Sequence, residues 1–248
     1  MIGDLSPQCL AEKLAPPRPL VRVAGALYAP PLPGKGSAWL AWPGSLTKRM
    51  LDRVEARARR DGAKTLTVGG PPGNYVTTGI DPQLDPEACA FFEAHGYERV
   101  STHLDLVVRT RKHTIDAAAE RCTSGDAVLP WIAEHFAAAW AMEAERALGG
   151  GGLFVLRGAG GGLVGFAAHS GNRAWEGRFG PVGVVPEARG AGAGRRLSAT
   201  VLADLAARGH AKAVVPWVDA ATAKFYRRFC EVVRKTEIVT LRRTLVVG

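Results

Sequence analysis

The sequence predicts an α/β (α+β) fold laid out as two tandem modules, each a sheet flanked by helices. Three observations predict it. A helix–strand–helix–strand order occurs twice along the chain. Near the C-terminal end, an apolar strand-like stretch stops at Pro186 and passes through Gly190, Gly192 and Gly194 into a helical pattern. Finally, the chain has 248 residues and is 47% hydrophobic, enough for real cores in one large domain or two small ones.

In the first half, Ser45 is the expected N-cap of a helix from about Leu46 to Arg60. Arg60-Asp61-Gly62-Ala63-Lys64 ends it, and Thr65–Val68 reads as a strand. Asp85-Pro86 opens a second helix, with proline suited to the first turn. This helix carries Phe91, Phe92 and Tyr97, and a strand is expected from about Thr102 to Arg109. In the second half a helix ends Arg208-Gly209-His210-Ala211-Lys212 before a strand at Ala213–Trp217. Arg60 and Arg208 stand 148 positions apart, as do Lys64 and Lys212. A further helix carries Phe225-Tyr226-Arg227-Arg228, and a last strand spans Ile238–Leu245. The division falls near Thr110–Thr114, giving modules 1–110 and 114–248. Matched element order supports the repeat more than matched letters do.

Two glycine-rich runs compete as ligand loops. Gly160-Gly161-Gly162-Leu163-Val164-Gly165 fits Gly-x-Gly-x-x-Gly, but no helix follows it. Leu153–Arg157 and Leu163–His169 instead read as a hairpin with a glycine turn. The other run is Val184-Val185-Pro186-Glu187-Ala188-Arg189-Gly190-Ala191-Gly192-Ala193-Gly194-Arg195-Arg196-Leu197. Leu197, Val201, Leu202 and Leu205 share a helical face beyond it, and Gly209 stands at the stop position. A glycine turn at a helix N-terminus suits a phosphate. The first-turn N–H groups lack helical partners, the dipole favours negative charge, and glycines let the backbone approach. Arg189, Arg195 and Arg196 add positive charge.

The Arg-x-x-Gly-x-Gly run resembles the pyrophosphate loop of the GNAT acyltransferases, which hold acetyl-CoA. The flanking parts extend the resemblance over roughly 50 residues: Phe179–Val184 looks like the family's fourth strand, and Phe225-Tyr226 falls on the expected later helix. The resemblance implies two mixed, mostly antiparallel twisted sheets. It implies a cofactor site made of Val184, Val185, Arg189, Gly190, Ala191, Gly192, Ala193, Gly194 and Arg195. Val184 or Val185 would present a backbone N–H to the thioester carbonyl, and Tyr226 would protonate the leaving thiolate. Asp219, just past the fifth strand, is either the general base or the N-cap of the following helix. Glu176 is a weaker base candidate, and Cys230 a weak candidate for a covalent route.

The first module lacks the loop. Its corresponding run, Ala41-Trp42-Pro43-Gly44-Ser45-Leu46-Thr47, has neither alternating glycines nor arginines, and Phe92 stands where the second module has Tyr226. It reads as a degenerate partner. The layout resembles tandem GNAT proteins, some of which acetylate aminosugars such as glucosamine and another of which completes mycothiol synthesis. Pro71–Asp81 resembles a loop of the glucosamine type, or is a Pro/Gly connection.

Composition narrows the partners. Net charge is +9, but 15 basic and 11 acidic residues precede His113 and 17 and 12 follow from it, so the excess is spread out and no nucleic-acid surface is expected. Met1–Leu20 has no long apolar run, and no segment suits a membrane span. Four scattered cysteines point to reduced thiols and a cytoplasmic home. Six histidines lack ligand spacing, so no metal is expected. The expected function is acetyl-CoA-dependent transfer to a primary amine of a small molecule, an aminosugar first, by a monomer or homodimer. A non-catalytic acyl-CoA sensor and a protein acetyltransferase are the alternatives.

Overall fold

A computed structural model describes residues 6–15 and 20–245. The expectation that the N-terminus carries no leader rests partly on residues 1–5 and 16–19, which lie outside the described residues. The chain divides into two compact units. One runs from Leu104 to Lys235; the other joins the chain before Leu104 to the segment from Thr236 onward.

The first unit begins with helix α1 (Pro7–Leu14) and strands β1 (Val21–Val23), β2 (Ala26–Ala29) and β3 (Ser37–Trp42). Helix α2 (Lys48–Arg60), strand β4 (Thr65–Val68) and helix α3 (Pro86–Ala94) follow. Thr47, not Ser45, caps α2: its hydroxyl accepts the Met50 N–H at 3.2 Å, while the Ser45 N–H is spent on a tight turn to Pro43. Met50, Leu51, Val54 and Ala58 fall on one buried face of α2, at helical spacing. They pack on Tyr28, Leu40, Leu66, Phe92 and Leu241. Gly62 ends α2 at φ +78°, a left-handed conformation that favours glycine. Strands β3 and β4 are parallel and paired along a continuous register from Ser37↔Thr65 to Leu40↔Val68. The Pro71–Asp81 run is mostly buried here. Asn74 donates to the Lys13 carbonyl at 3.1 Å, and Ile80 exchanges both backbone hydrogen bonds with Val239.

Strand β5 (Glu98–Arg109) crosses from the first unit into the second and is longer than expected. The second unit continues with β6 (Ala119–Arg121), α4 (Val128–His135), α5 (Ala138–Gly149), β7 (Leu153–Arg157) and β8 (Leu163–His169). Then come β9 (Phe179–Val184), α6 (Ala193–Ala207), β10 (Lys212–Val218) and α7 (Ala220–Arg227). Strand β11 (Val232–Thr244) returns to the first unit, where Leu241 pairs with Val68. Strands β6-β7-β8-β9 form an antiparallel sheet. Along β7 the side chains alternate: Leu153 and Val155 face α4 and α5, and Phe154 and Leu156 face α6 and α7. Burial on both faces explains why β7 reads as an unbroken apolar run. Leu197, Val201, Leu202 and Leu205 are all fully buried, and Gly209 stands past the end of α6 at φ +89°.

The two units differ at one joint. In the first, β3 and β4 stay paired. In the second, β9 and β10 meet at a single parallel bridge, Arg178↔Val214, and part beyond it. β10 instead pairs with β5, from Lys212↔Arg109 to Val218↔Leu104.

Candidate active site

The parting of β9 and β10 leaves one edge of β9 without a strand. Antiparallel pairing turns successive N–H groups to opposite edges. The Val185 N–H goes to the Val164 carbonyl at 3.0 Å, so Val185 is engaged and is not the free donor. Val184, opposite Gly165 in that register, directs its N–H the other way, toward the gap. Of the two valines singled out from the sequence, Val184 is therefore the one placed to donate. Its carbonyl accepts from Arg189 Nε at 3.0 Å, which folds that side chain back on the strand end.

Beyond β9 the chain makes a short 3-10 turn at Pro186–Ala188 and enters the glycine loop. Gly190 and Gly192 both have φ +85°, and a β-carbon at either would meet nothing within 4 Å. The glycines are required by backbone conformation, and the space around them is open. Gly192 is the N-cap of α6 and offers no side chain to cap it. The N–H groups of Ala193, Gly194 and Arg195 therefore point out of the first turn without helical partners. Ala193 is buried and Gly194 partly buried, where a β-carbon would lie 3.6 Å from Phe225 and 3.7 Å from Val184; Arg189, Gly190, Ala191, Gly192 and Arg195 are exposed. Arg196 is not part of this charge. It forms a two-pronged pair with Asp116 at 2.7 and 2.8 Å, which holds the Asp116 carboxyl down to about 2. Arg189 and Arg195 have no carboxylate partner among the described residues. His113 lies close by, its ring edge-on to Phe229 at 6.4 Å; burial, and then the Arg195 charge, lower its pKa.

Helix α7 supplies the remaining residues. Tyr226 is 4% exposed, its ring held by Phe179, Phe225 and Phe229 at centroid distances of 5.7, 5.2 and 5.8 Å. Burial raises the phenol pKa well above its ordinary value, and the adjacent Ser198 hydroxyl opposes that rise. Asp219 is the N-cap of α7: its carboxylate accepts the Thr222 N–H at 2.6 Å, and that bond lowers its pKa. Asp219 thus meets the N-cap expectation, as an exposed carboxylate tied to the first turn of α7. Glu176 is held by Arg173 and Arg178, and Glu187 is exposed. Burial pushes the Cys230 thiol up to about 12, which leaves it protonated and a poor nucleophile.

Two polar clusters have no mark in the sequence. Asp105 on β5 accepts the Trp217 N–H at 3.2 Å and pairs with Arg178 at 3.6 Å, pinning the register shift where β10 leaves regular pairing. Deeper, His169 bonds Asp204 at 2.8 Å, and Asp204 also takes Arg208 at 2.7 Å and Arg121. This fastens the C-terminal end of α6, away from the loop. Among the described residues, no group of three or more His, Cys, Asp or Glu side chains could hold a metal, and no helix is long and apolar enough to cross a membrane.

The donors suit an acyl-CoA. An open left-handed glycine pair, three outward first-turn N–H groups and two arginines without carboxylates match a pyrophosphate, and an unpaired strand edge lies next to them. A family model described as the acetyltransferase (GNAT) family matches residues 119–231. That segment is a GNAT acetyltransferase domain. The GNAT domain runs from β6 to the turn after α7 and lies within the second unit. No curated protein matches the chain. Among solved structures it is similar to the GCN5-related glucosamine N-acetyltransferase region of a fungal multi-domain GH3 β-N-acetylglucosaminidase. The TM-score is 0.69 at 18% identity, over 88% of this chain and 31% of that one, so the chain spans about a third of that protein. It is similar to a tandem GNAT protein from the clavulanic acid biosynthesis pathway, with TM-score 0.64 and 18% identity over 100% of this chain and 91% of that one. It is also similar to a GCN5-related N-acetyltransferase from Kribbella flavida, with TM-score 0.57 and 17% identity over 95% and 93%. At these identities the likeness concerns the fold alone, a GNAT-like fold.

Proposed function

We propose that the second unit transfers an acetyl group from acetyl-CoA to the primary amine of a small molecule, an aminosugar first, by direct transfer between the two bound reactants. The observation that carries this reading is the Val184 N–H at the unpaired edge of β9, next to the open glycine loop. Gly190, Ala191, Gly192, Ala193, Gly194, Arg189 and Arg195 would hold the pyrophosphate. The bound thioester supplies an activated acetyl group. Val184 stabilises negative charge on its carbonyl oxygen as the amine nitrogen attacks. The carbon–nitrogen bond forms, the carbon–sulfur bond breaks with its electron pair left on sulfur, the amine sheds a proton, and Tyr226 gives one to the sulfur. Placement in a pocket removes most of the entropic cost of bringing the reactants together.

An aminosugar acceptor is supported by the glucosamine N-acetyltransferase region among the structural neighbours, at the level of fold similarity. The first unit contributes no acyl-CoA site in this reading, and the free cysteines Cys89 and Cys230, both buried, accord with a cytoplasmic home. One observation favours a second reading, a non-catalytic acyl-CoA sensor: Asp219 is committed to its cap, and Glu176 to two arginines. Free-CoA release with a panel of amines that includes glucosamine separates the two. The transferase reading expects amine-dependent release. Tight acetyl-CoA binding with no release for any amine favours the sensor.

A further inference from the structure

Ser198 lies in the second turn of α6, four residues after Gly194 and therefore on the same stripe of the helix. Gly194 faces Phe225 of α7. Ser198 accordingly faces α7 too, next to Leu197 and within a turn of Val201 in the core cluster that also holds Tyr226, and its hydroxyl opposes the rise of the phenol pKa. The side chain is fully buried, between Leu197 and Val201 of the core. Its Oγ makes no hydrogen bond of ordinary geometry among the described residues, not even to the carbonyl one turn back that a helical serine commonly takes, and its action on the phenol is that of a looser neighbour. A buried, unsatisfied hydroxyl is costly, and an alanine would fill the same place in an apolar helix face. The Tyr226 ring is fixed between Phe179, Phe225 and Phe229, so the phenol cannot swing toward another partner. The other polar group bearing on that phenol is the Cys230 thiol, which is neutral.

We propose that Ser198 is a positioning residue for Tyr226: its hydroxyl donates to the phenolic oxygen while that oxygen passes its own proton to the departing sulfur. The inference rests on the acetyl-transfer reading of the site. The Ser198 O–H keeps its proton throughout. It orients the phenolic hydrogen away from α6 and stabilises the phenolate left behind, which then regains a proton from the one shed by the amine through solvent. Hydrogen bonds arranged in such a chain reinforce one another.

The test compares Ser198→Ala, Ser198→Thr, Tyr226→Phe and the Ser198→Ala/Tyr226→Phe double variant. Ser198→Ala should melt at or above the wild-type temperature, because it removes an unsatisfied polar group. Its kcat should fall about two- to tenfold, the span of one hydrogen bond, with KM for acetyl-CoA unchanged. Ser198→Thr should restore the rate. In the Tyr226→Phe background the alanine should cost nothing further, the signature of two groups acting as one. A second readout needs no acceptor: calorimetric affinity for free CoA should rise with pH as the bound thiol ionises, and Ser198→Ala should flatten that rise. Ser198→Ala at full rate beside an impaired Tyr226→Phe, an equal loss in both backgrounds, or an unchanged pH slope for CoA overturns the Ser198 role alone. A full-rate Tyr226→Phe enzyme, or a wild-type protein that binds no CoA, removes the acetyl-transfer reading and this inference with it.

Discussion

Three residues carry tests of their own. Gly192 sits at φ +85° with open space beyond its α-carbon, so a side chain there clashes with nothing in the protein but forces a left-handed backbone that β-branched residues resist. Gly192→Val should weaken acetyl-CoA binding by about tenfold or more in calorimetry, on the order of 1.4 kcal/mol. Unchanged affinity would take the loop out of the site. Tyr226→Phe removes a proton donor and little volume, and turnover should fall about 10- to 1000-fold with acetyl-CoA affinity held. Asp219 is a different case. Its carboxylate is tied to the Thr222 N–H and its pKa lies below the usual carboxylate range, so it stays ionised at all ordinary assay pH values. Asp219→Asn caps equally well and should keep the wild-type rate and pH profile, whereas Asp219→Ala loses the cap and should lower Tm. A slow Asp219→Asn enzyme with a normal melt would restore the base role. At this scale the sequence exposed the residues that sit in motifs, such as Gly192 and Tyr226. It hid Ser198 and Asp105, because a lone serine or aspartate acquires meaning only from what another element places beside it.

Among the elements, those with a strong period or firm punctuation were legible. The hairpin of β7 and β8 falls where two apolar runs flank the glycines, and α6 follows its buried stripe up to Gly209. Helices α4 and α5 were not. Pro130 interrupts one pattern, and the alanine-rich run of α5 has apolar residues on most sides, so no single face stands out. The parting of β9 and β10 was also hidden, since it is a relation between strands rather than a property of either. The buried cluster that fastens α6 to β6 and β8 gives a pH prediction at this scale. Burial lowers the His169 pKa to about 4, and Asp204 opposes that fall. Folded His169 is neutral where the unfolded chain, with a histidine pKa near 6.5, would bind a proton. Its contribution is therefore intact above about pH 6.5 and drains as pH falls toward 4, costing roughly 2 kcal/mol by pH 5. Thermal melts should show Tm dropping by several degrees between about pH 7 and pH 5. His169→Asn should lower Tm at pH 7 but flatten that slope, and a wild-type Tm independent of pH over this range would contradict the assignment.

On the scale of the whole chain, the two units run through the same order of strand, helix and strand: β3, α2, β4 in one and β9, α6, β10 in the other. They differ in whether the strands open. The β3–β4 register is continuous from Ser37 to Leu40, so neither strand has a free edge between them. The loop before α2 is equally closed. Gly44 has φ +69°, as a glycine of an anion loop could, but a β-carbon there would lie 2.7 Å from the Gly25 carbonyl oxygen. Gly190 and Gly192 have open space where Gly44 has backbone. Phe92, in the place of Tyr226, is fully buried and has no hydroxyl. A unit with paired strands, a filled loop and no phenol has nowhere to admit a thioester and nothing to protonate its sulfur. Calorimetric titration with acetyl-CoA should therefore give one site per chain. The paired glycine variants sharpen the point: Gly44→Ala should lower Tm and leave both affinity and stoichiometry alone, while Gly192→Val, strained by its left-handed backbone, should lower affinity along with Tm and leave one site per chain. Two sites per chain, or a loss of acetyl-CoA affinity in a folded Gly44→Ala protein, would mean that the first unit opens in solution where its β3–β4 ladder is closed here.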